Sequence, residues 1–405
     1  MNYEETKAKL ESKGQLQLLR FYDELSNAGK AELLAQIEKI DFSDIRLEKK
    51  DTSKDIIEPI EAETLAQLEK DRPEFEKIGL EAIRSGKVAA VLLAGGQGTR
   101  LGLNGPKGTY NIGVTRELYI FECLINNLLE VTERAGCFVP LLIMTSDKND
   151  EVTRAFLKEH NYFGYDENSI TFFVQDMAPT TDFDGRVYLE DKGRVSLSPN
   201  GNGGWFKSLK KAGIADRLGA CGIEWINVFA VDNVLQRIAD PAFIGATIKS
   251  GHESGAKVIS KAAPDERVGV MCYRNGRPSI VEYYELTPEM ETQRSESGRL
   301  AYNWGVILNY LFRLDVMNAV EPRALPLHIA KKKIPHIDEN GKLVKNNEPD
   351  GYKFETLVLD LIEMMEGCLV YEVDRAKEFA PVKNASGTDS PDSARTMLRA
   401  LGVKL

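Results

Sequence analysis

Residues 88–108, VAAVLLAGGQGTRLGLNGPKG, limit the possible fold more than any other stretch: an apolar run opens directly into three closely spaced glycines, an arginine and a Pro-Lys-Gly. Val88 to Leu93 is apolar on both faces, which predicts a strand buried in the middle of a parallel sheet. Gly95, Gly96 and Gly98 permit backbone angles and close approaches that a Cβ would block, so consecutive N–H groups can turn toward phosphate oxygens. Arg100 and Lys107 add two cations. Neutral amides fix geometry while fixed positive charge offsets several negative charges, and that combination suits a polyphosphate.

Two commoner glycine motifs fail on counting. A P-loop needs G-x-x-x-x-G-K-[ST], but Gly102 is followed by Leu103 and Asn104, and Lys107 by Gly108. The dinucleotide fingerprint read from Gly96 meets Leu101 where a third glycine or alanine belongs, which leaves a dinucleotide oxidoreductase only the βαβ pattern in its favour.

That pattern runs on from Val88: strand at 88–93, helix near 118–133, strand at 139–145, helix near 149–159, strand at 170–175. Such a series predicts an α/β, doubly wound Rossmann-like sheet that collects ligands at the carboxyl ends of its strands. A chain of 405 residues exceeds one compact core. We divide it into a helical N-terminal lobe (1–86), a core (87–325) and a small C-terminal lobe (326–405). In the first, Leu18, Phe21, Tyr22 and Leu25, then Leu33, Ile37 and Ile40, fall at helical spacing.

Composition excludes several classes. A formal net charge of −10 argues against nonspecific nucleic-acid binding, and no run of about 18 apolar residues exists to span a membrane. The N-terminal MNYEETKAKLESKG is too charged for a secretory signal, so the cytoplasm is the expected compartment. Five scattered cysteines without a C-x-x-C read as buried thiols, and four histidines without ligand spacing give no zinc site. IEWINVFAVDN (223–233) is a second buried strand, broken by Asp232. A carboxylate there needs a positive partner, and Mg²⁺, which favours one or two carboxylates plus phosphate oxygens, is the expected one.

The run L-A-G-G-x-G-T-R-L-G followed by P-K-G resembles the nucleotide-binding loop of the UDP-sugar pyrophosphorylases, in their UDP-N-acetylhexosamine branch. The likeness continues in order through PNGNGG (199–204), AVDN (230–233), GAKV (255–258), VGV (268–270), VEY (281–283), KKKIPHID (331–338), GYK (351–353) and PVKN (381–384). It implies a nucleotidyltransferase core of glycosyltransferase-A type. It also implies Mg-dependent uridylyl transfer from UTP to a sugar-1-phosphate, giving UDP-sugar and pyrophosphate.

Carried over position by position, the resemblance makes Leu93, Ala94, Gly95, Gly96, Gly98, Thr99, Gln175, Gly201 and Lys353 nucleotide ligands. Asn202, Gly269, Glu282, Tyr283 and Asn303 become sugar ligands, and Asp232 the metal ligand. Arg100, Lys107 and Lys383 are the catalytic cations. The Gln175 amide offers both a donor and an acceptor, as a uracil edge demands.

One position departs: where relatives read N-x-G-N or N-x-N-N, this chain has Asn303-Trp304-Gly305-Val306, so a polar contact to the sugar is replaced by a methyl surface. N-acetylglucosamine-1-phosphate is the first expectation for the acceptor. The alternatives are a glucose-1-phosphate or broad UDP-sugar pyrophosphorylase, and a non-catalytic UDP-sugar sensor.

Overall fold

A computed structural model describes residues 1–42, 45, 47, 54–320 and 325–405. The chain groups into two compact units, one of Met1–Ser53, Asp176–Gly204 and Leu325–Val358, the other of Lys54–Gln175, Trp205–Ala324 and Leu359–Leu405.

The larger unit is built on one ten-stranded sheet. Its strands, in chain order, are β1 (Ile57–Pro59), β2 (Val88–Leu93), β3 (Leu141–Thr145), β4 (Ile170–Val174), β5 (Trp225–Ala230), β6 (Ser254–Ser260), β7 (Val270–Arg274), β8 (Arg277–Val281), β9 (Trp304–Arg313) and β10 (Cys368–Glu372). Across the sheet the order is β4-β3-β2-β5-β9-β7-β1, with β6 paired to both β9 and β10, and β8 to β7. The strands β4, β3, β2 and β5 run parallel. The βαβ series expected from sequence is therefore present, as a mixed α/β sheet with a parallel centre.

Residues β2, β3 and β5 are buried along their whole length, as continuous apolar runs require of strands covered on both faces. Chain order reverses between β2 and β5, because β3 and β4 are laid on one side of β2 and β5 returns to the other. In such a sheet the carboxyl ends of the two strands at the reversal leave a crevice. The antiparallel half needs a tight turn, and Asn275-Gly276 supplies it. Both residues have positive φ (53° and 78°), which is the type I′ geometry that matches strand twist.

Among the described residues five α-helices precede β4: α1 (Tyr3–Ser12), α2 (Asn27–Lys39), α3 (Leu65–Arg84), α4 (Ile120–Ala135) and α5 (Asp150–Glu159). The stretch read as one helical lobe is divided. The first two helices lie in the smaller unit, while α3 lies in the larger and packs on α6 (Pro241–Ser250). That contact is backbone against backbone. A Cβ on Gly245 would stand 1.8 Å from the Phe75 carbonyl oxygen, and one on Gly79 would stand 1.9 Å from that of Pro241.

In the smaller unit Leu10, Leu18, Phe21, Leu33 and Ile37 form a core with Val187, Leu189 and Val195. Leu18 and Tyr22 sit on short 3₁₀ turns rather than on one continuous helix. Small antiparallel pairs complete it, among them Met177–Pro179 with Leu197–Pro199, and His328–Lys332 with Gly351–Glu355. One sequence expectation needs correction. Cys123, Cys272 and Cys368 are buried, but Cys137 is half-buried and Cys221 is exposed, because it caps the solvent-facing end of the short helix Ile214–Ala220. No helix among the described residues is long and apolar enough to cross a membrane.

Gly245→Ala is expected to force α3 and α6 apart and to destabilise the fold by about 1–3 kcal/mol, the usual range for an overpacked contact. Urea unfolding of wild type and variant measures this as a lowered midpoint.

Candidate active site

The loop after β2 closes on itself. The Gly98 N–H donates to the Gly105 carbonyl (2.9 Å) and the Lys107 N–H to the Gly96 carbonyl (3.1 Å), so residues 96–107 form a small ring carrying a 3₁₀ turn at Thr99–Leu101. Gly102, with φ 74°, ends that turn. Each of two glycines has a neighbour where a side chain would go. A Cβ on Gly98 would meet Leu103 at 2.9 Å, and one on Gly108 would enter the Phe121 ring at 2.3 Å, which locks the Pro-Lys-Gly segment onto α4. Gly96 faces open space, and Thr99 and Arg100 are exposed.

Beneath the loop lies a polar clamp that no motif announced. Asn149, 1% exposed, donates from Nδ2 to the Ala94 carbonyl (3.0 Å) while its Oδ1 accepts from the Ser146 N–H (2.7 Å). The Ser146 hydroxyl donates to the Gly95 carbonyl (3.0 Å). Ala94 also gives its N–H to the Met144 carbonyl (2.8 Å). Leu93 and Ala94 thus anchor the loop through backbone bonds. The sequence signal was the run Ser146-Asp147-Lys148-Asn149, polar residues placed directly after an apolar strand. Gln175, at the end of β4, is buried, and its Oε1 lies 2.8 Å from where a Gly95 Cβ would be. The glycine is what admits the amide to this edge of the loop.

Across the reversal, β5 runs parallel to β2 with Leu93 opposite Ala230, and the Val231 N–H donates to the Leu93 carbonyl (3.3 Å). Two residues later comes Asp232. Asn233 then ties in a distant segment: its Nδ2 donates to the Glu378 carbonyl (2.7 Å), and its Oδ1 accepts the Ala380 N–H (2.8 Å). The Val382 N–H donates to the Asp232 carbonyl (2.7 Å). Lys383 therefore arrives beside Asp232, with Nζ 4.0 Å from Oδ2.

The electrostatics place Lys107 in the same cluster. Burial lowers its pKa below the ordinary lysine value; Asp232 pulls it back up, while Lys383 and Arg100 push it further down. Asp389 belongs to the same neighbourhood: burial raises its pKa, Lys383 pulls it down and Asp232 pushes it up. Three cations and two carboxylates thus interact here. Asp232 is 21% exposed and Lys383 45% exposed, so both are open to a ligand. Among the described residues no group of three His, Cys, Asp or Glu side chains forms a ready-made metal cage.

Four of the five expected sugar-side residues, Gly269, Glu282, Tyr283 and Asn303, lie by the antiparallel half of the sheet, whereas Asn202 belongs to the smaller unit. Gly269 accepts the Val306 N–H on its carbonyl (2.9 Å), and a Cβ there would lie 3.5 Å from Val306 and 3.6 Å from the Glu282 carboxyl carbon. Asn303 is buried and donates from Nδ2 to the Ser260 hydroxyl (3.0 Å). Tyr283 lies on a turn, 40% exposed, edge-on to Tyr284.

In the smaller unit Gly201 has φ 84°, and a Cβ there would lie 2.2 Å from the Thr356 carbonyl oxygen. Asn202 accepts the Val358 N–H on Oδ1 (3.0 Å). Both thus lie against the segment that follows Lys353, which occupies the strand Gly351–Glu355 opposite Ala330.

The parallel centre of the sheet carries the glycine loop at the reversal of strand order with Asp232 and the cations beside it, and the family match makes the protein a nucleotidyltransferase. The chain belongs to the UTP–glucose-1-phosphate uridylyltransferase family, whose model matches residues 37–395. It is 37% identical to human UDP-N-acetylhexosamine pyrophosphorylase-like protein 1, over 98% of this chain and 83% of that one. It is 36% identical to the UDP-N-acetylglucosamine pyrophosphorylase of Saccharomyces cerevisiae, over 96% of this chain and 88% of the relative. The crystal structure of uridine diphosphate N-acetylglucosamine pyrophosphorylase from Trypanosoma brucei, solved with an inhibitor, superimposes with a TM-score of 0.85 at 30% identity, covering 97% of this chain and 83% of that one.

Because Lys107 loses its proton below the ordinary lysine range, its attraction for a triphosphate should fade as pH rises through that lowered value. Lys107→Arg keeps its charge at all accessible pH. The alkaline fall in UTP affinity, followed by calorimetry across a pH series, is expected to move upward in the arginine variant and to stay at the same pH if Lys107 is not the titrating group.

Proposed function

We propose that this enzyme transfers a uridylyl group from UTP to N-acetylglucosamine-1-phosphate, releasing pyrophosphate and UDP-N-acetylglucosamine, by a single in-line displacement. The observation that carries this reading is the gathering of Lys107 and Lys383 near Asp232, with Arg100 near Lys107, beyond the carboxyl ends of β2 and β5. The names of the relatives supply the sugar.

In this reading the acceptor's phosphate oxygen attacks the α-phosphorus of UTP, and no protein nucleophile is required. Arg100 and Lys107 hold the leaving pyrophosphate, and Lys383 holds the attacking phosphate. Positioning and neutralisation of charge account for most of the rate in such transfers. Gly95, Gly96, Gly98 and Thr99 present the loop's edge to the triphosphate over the floor of Leu93 and Ala94, and Gln175 reads the uracil. The family pattern assigns Gly201 and Lys353 to the nucleotide, and Asn202, Gly269, Glu282, Tyr283 and Asn303 to the sugar.

Asp232 is the residue that would hold Mg²⁺. A partly exposed carboxylate of this kind fits a cation that draws its other ligands from substrate phosphates and water. When bound, the ion would supply charge neutralisation at the α-phosphate. The five free thiols suit a reducing compartment such as the cytoplasm.

The test is pyrophosphate release from UTP and Mg²⁺ with N-acetylglucosamine-, N-acetylgalactosamine-, glucose- and galactose-1-phosphates. N-acetylglucosamine-1-phosphate is expected to give the highest kcat/KM, and silence with all four sugars would sink the catalytic reading. Lys383→Ala is expected to raise KM for the sugar phosphate and to lower kcat by about a hundredfold, the usual loss of one charge-stabilising donor; unchanged kinetics would remove it from the site.

A further inference from the structure

Lys257 lies in the middle of β6 and is fully buried, although a lysine in the interior is normally excluded by the cost of desolvating its charge. Its ammonium is held by two carboxylates, Asp240 at 2.8 Å and Glu378 at 2.6 Å, and it also donates to the Arg237 carbonyl at 3.3 Å. The guanidinium of Arg237 stands 4.0 Å from the other oxygen of Glu378. The register of β6 on β9 shifts around this residue, between Ala256 and Val258.

A buried ion pair adds little to stability over an apolar replacement of similar volume, but its geometry is directional. The direction here is informative. Glu378 closes the short helix Arg375–Glu378, and its own carbonyl accepts the Asn233 side chain that follows Asp232. From Glu378 the chain passes through Ala380, bonded to Asn233, and Val382, bonded to Asp232, to Lys383. The other end of the same helix is tied as well, since Arg375 grips both carboxylate oxygens of Glu266 at 2.7 and 2.8 Å.

We propose that Lys257 is a positioning residue for the transfer: by gripping the Glu378 carboxylate it fixes the start of the segment that delivers Lys383 to Asp232. This rests on the reading of Asp232 and Lys383 given above. Lys257 touches neither substrate nor metal; it acts through Glu378. The segment is thus tied from β6 through the Glu378 carboxylate and from the end of β5 through the Asn233 carboxamide.

The experiment compares Lys257→Met, Glu378→Ala and Glu378→Gln with Lys383→Ala, in the full-length protein. Lys257→Met and Glu378→Ala are each expected to raise KM for the sugar phosphate and lower kcat at least tenfold, with KM for UTP within twofold of wild type. Glu378→Gln keeps an oxygen for the lysine and is expected to retain kcat within threefold. If Lys257→Met does not fold, Glu378→Ala carries the test, since Lys257 and Asp240 then remain paired and neutral. Wild-type kinetics in Glu378→Ala, with only a lowered Tm, would overturn the proposal and reduce the pair to a structural one. Should Lys383→Ala itself behave as wild type, the site reading fails and the positioning role falls with it; an impaired Lys383→Ala beside a normal Glu378→Ala overturns the positioning role alone.

Discussion

The pairing of β2 with β5 is the constraint on which the site depends. Because the two strands run parallel, with Leu93 level with Ala230, the glycine loop and Asp232 leave the sheet at the same edge and at the same height. Moving either by a residue would send every side chain of that strand to the opposite face of the sheet, and both faces are already packed. The apolar runs that make both strands fully buried therefore also fix where the chemistry stands. The loop adds its own closure, and the Asn149 clamp joins it to the end of β3.

Charge is distributed with equal economy. The chain as a whole is acidic, yet at this edge Arg100, Lys107 and Lys383 gather near Asp232 and Asp389. The lowered pKa of Lys107 comes first from burial, is opposed by Asp232, and is deepened by repulsion from Lys383 and Arg100. A polyanion arriving at the site relieves the repulsion, so the same arrangement that is unfavourable when empty favours a triphosphate. Acidity elsewhere does not oppose this, because exposed charges more than about 10 Å apart are screened by salt.

Much of this could be read from residues alone. The strand at 88–93 was legible because it is apolar without interruption, and the loop because three glycines precede two cations. What escaped reading was whatever depends on residues distant in sequence. Nothing local to Asp232 says that Lys383 will stand 4.0 Å away; that follows from Asn233, whose carboxamide reads locally as a turn residue. Lys257 was hidden differently. In GAKV it looks like the polar face of an alternating strand, and only the meeting of Asp240 and Glu378 makes its burial possible. The short helices of the smaller unit were blurred because 3₁₀ turns keep helical spacing for only a few residues.

The Asn233 clamp carries a consequence for how the protein is made. Synthesis proceeds from the N-terminus, so the glycine loop and Asp232 exist long before residues 375–383 leave the ribosome. Until then Asn233 lacks its partners at Glu378 and Ala380, Lys257 lacks one of its two carboxylates, and β6 has an open edge where β10 will pair. Contacts so far apart in sequence form slowly, and unpaired edges invite association with other chains. The nascent enzyme thus passes through an interval in which its glycine loop is made but its charge cluster still lacks Lys383; the last strand of the sheet to be made seals the open edge, and the segment that follows it brings Lys383 to Asp232.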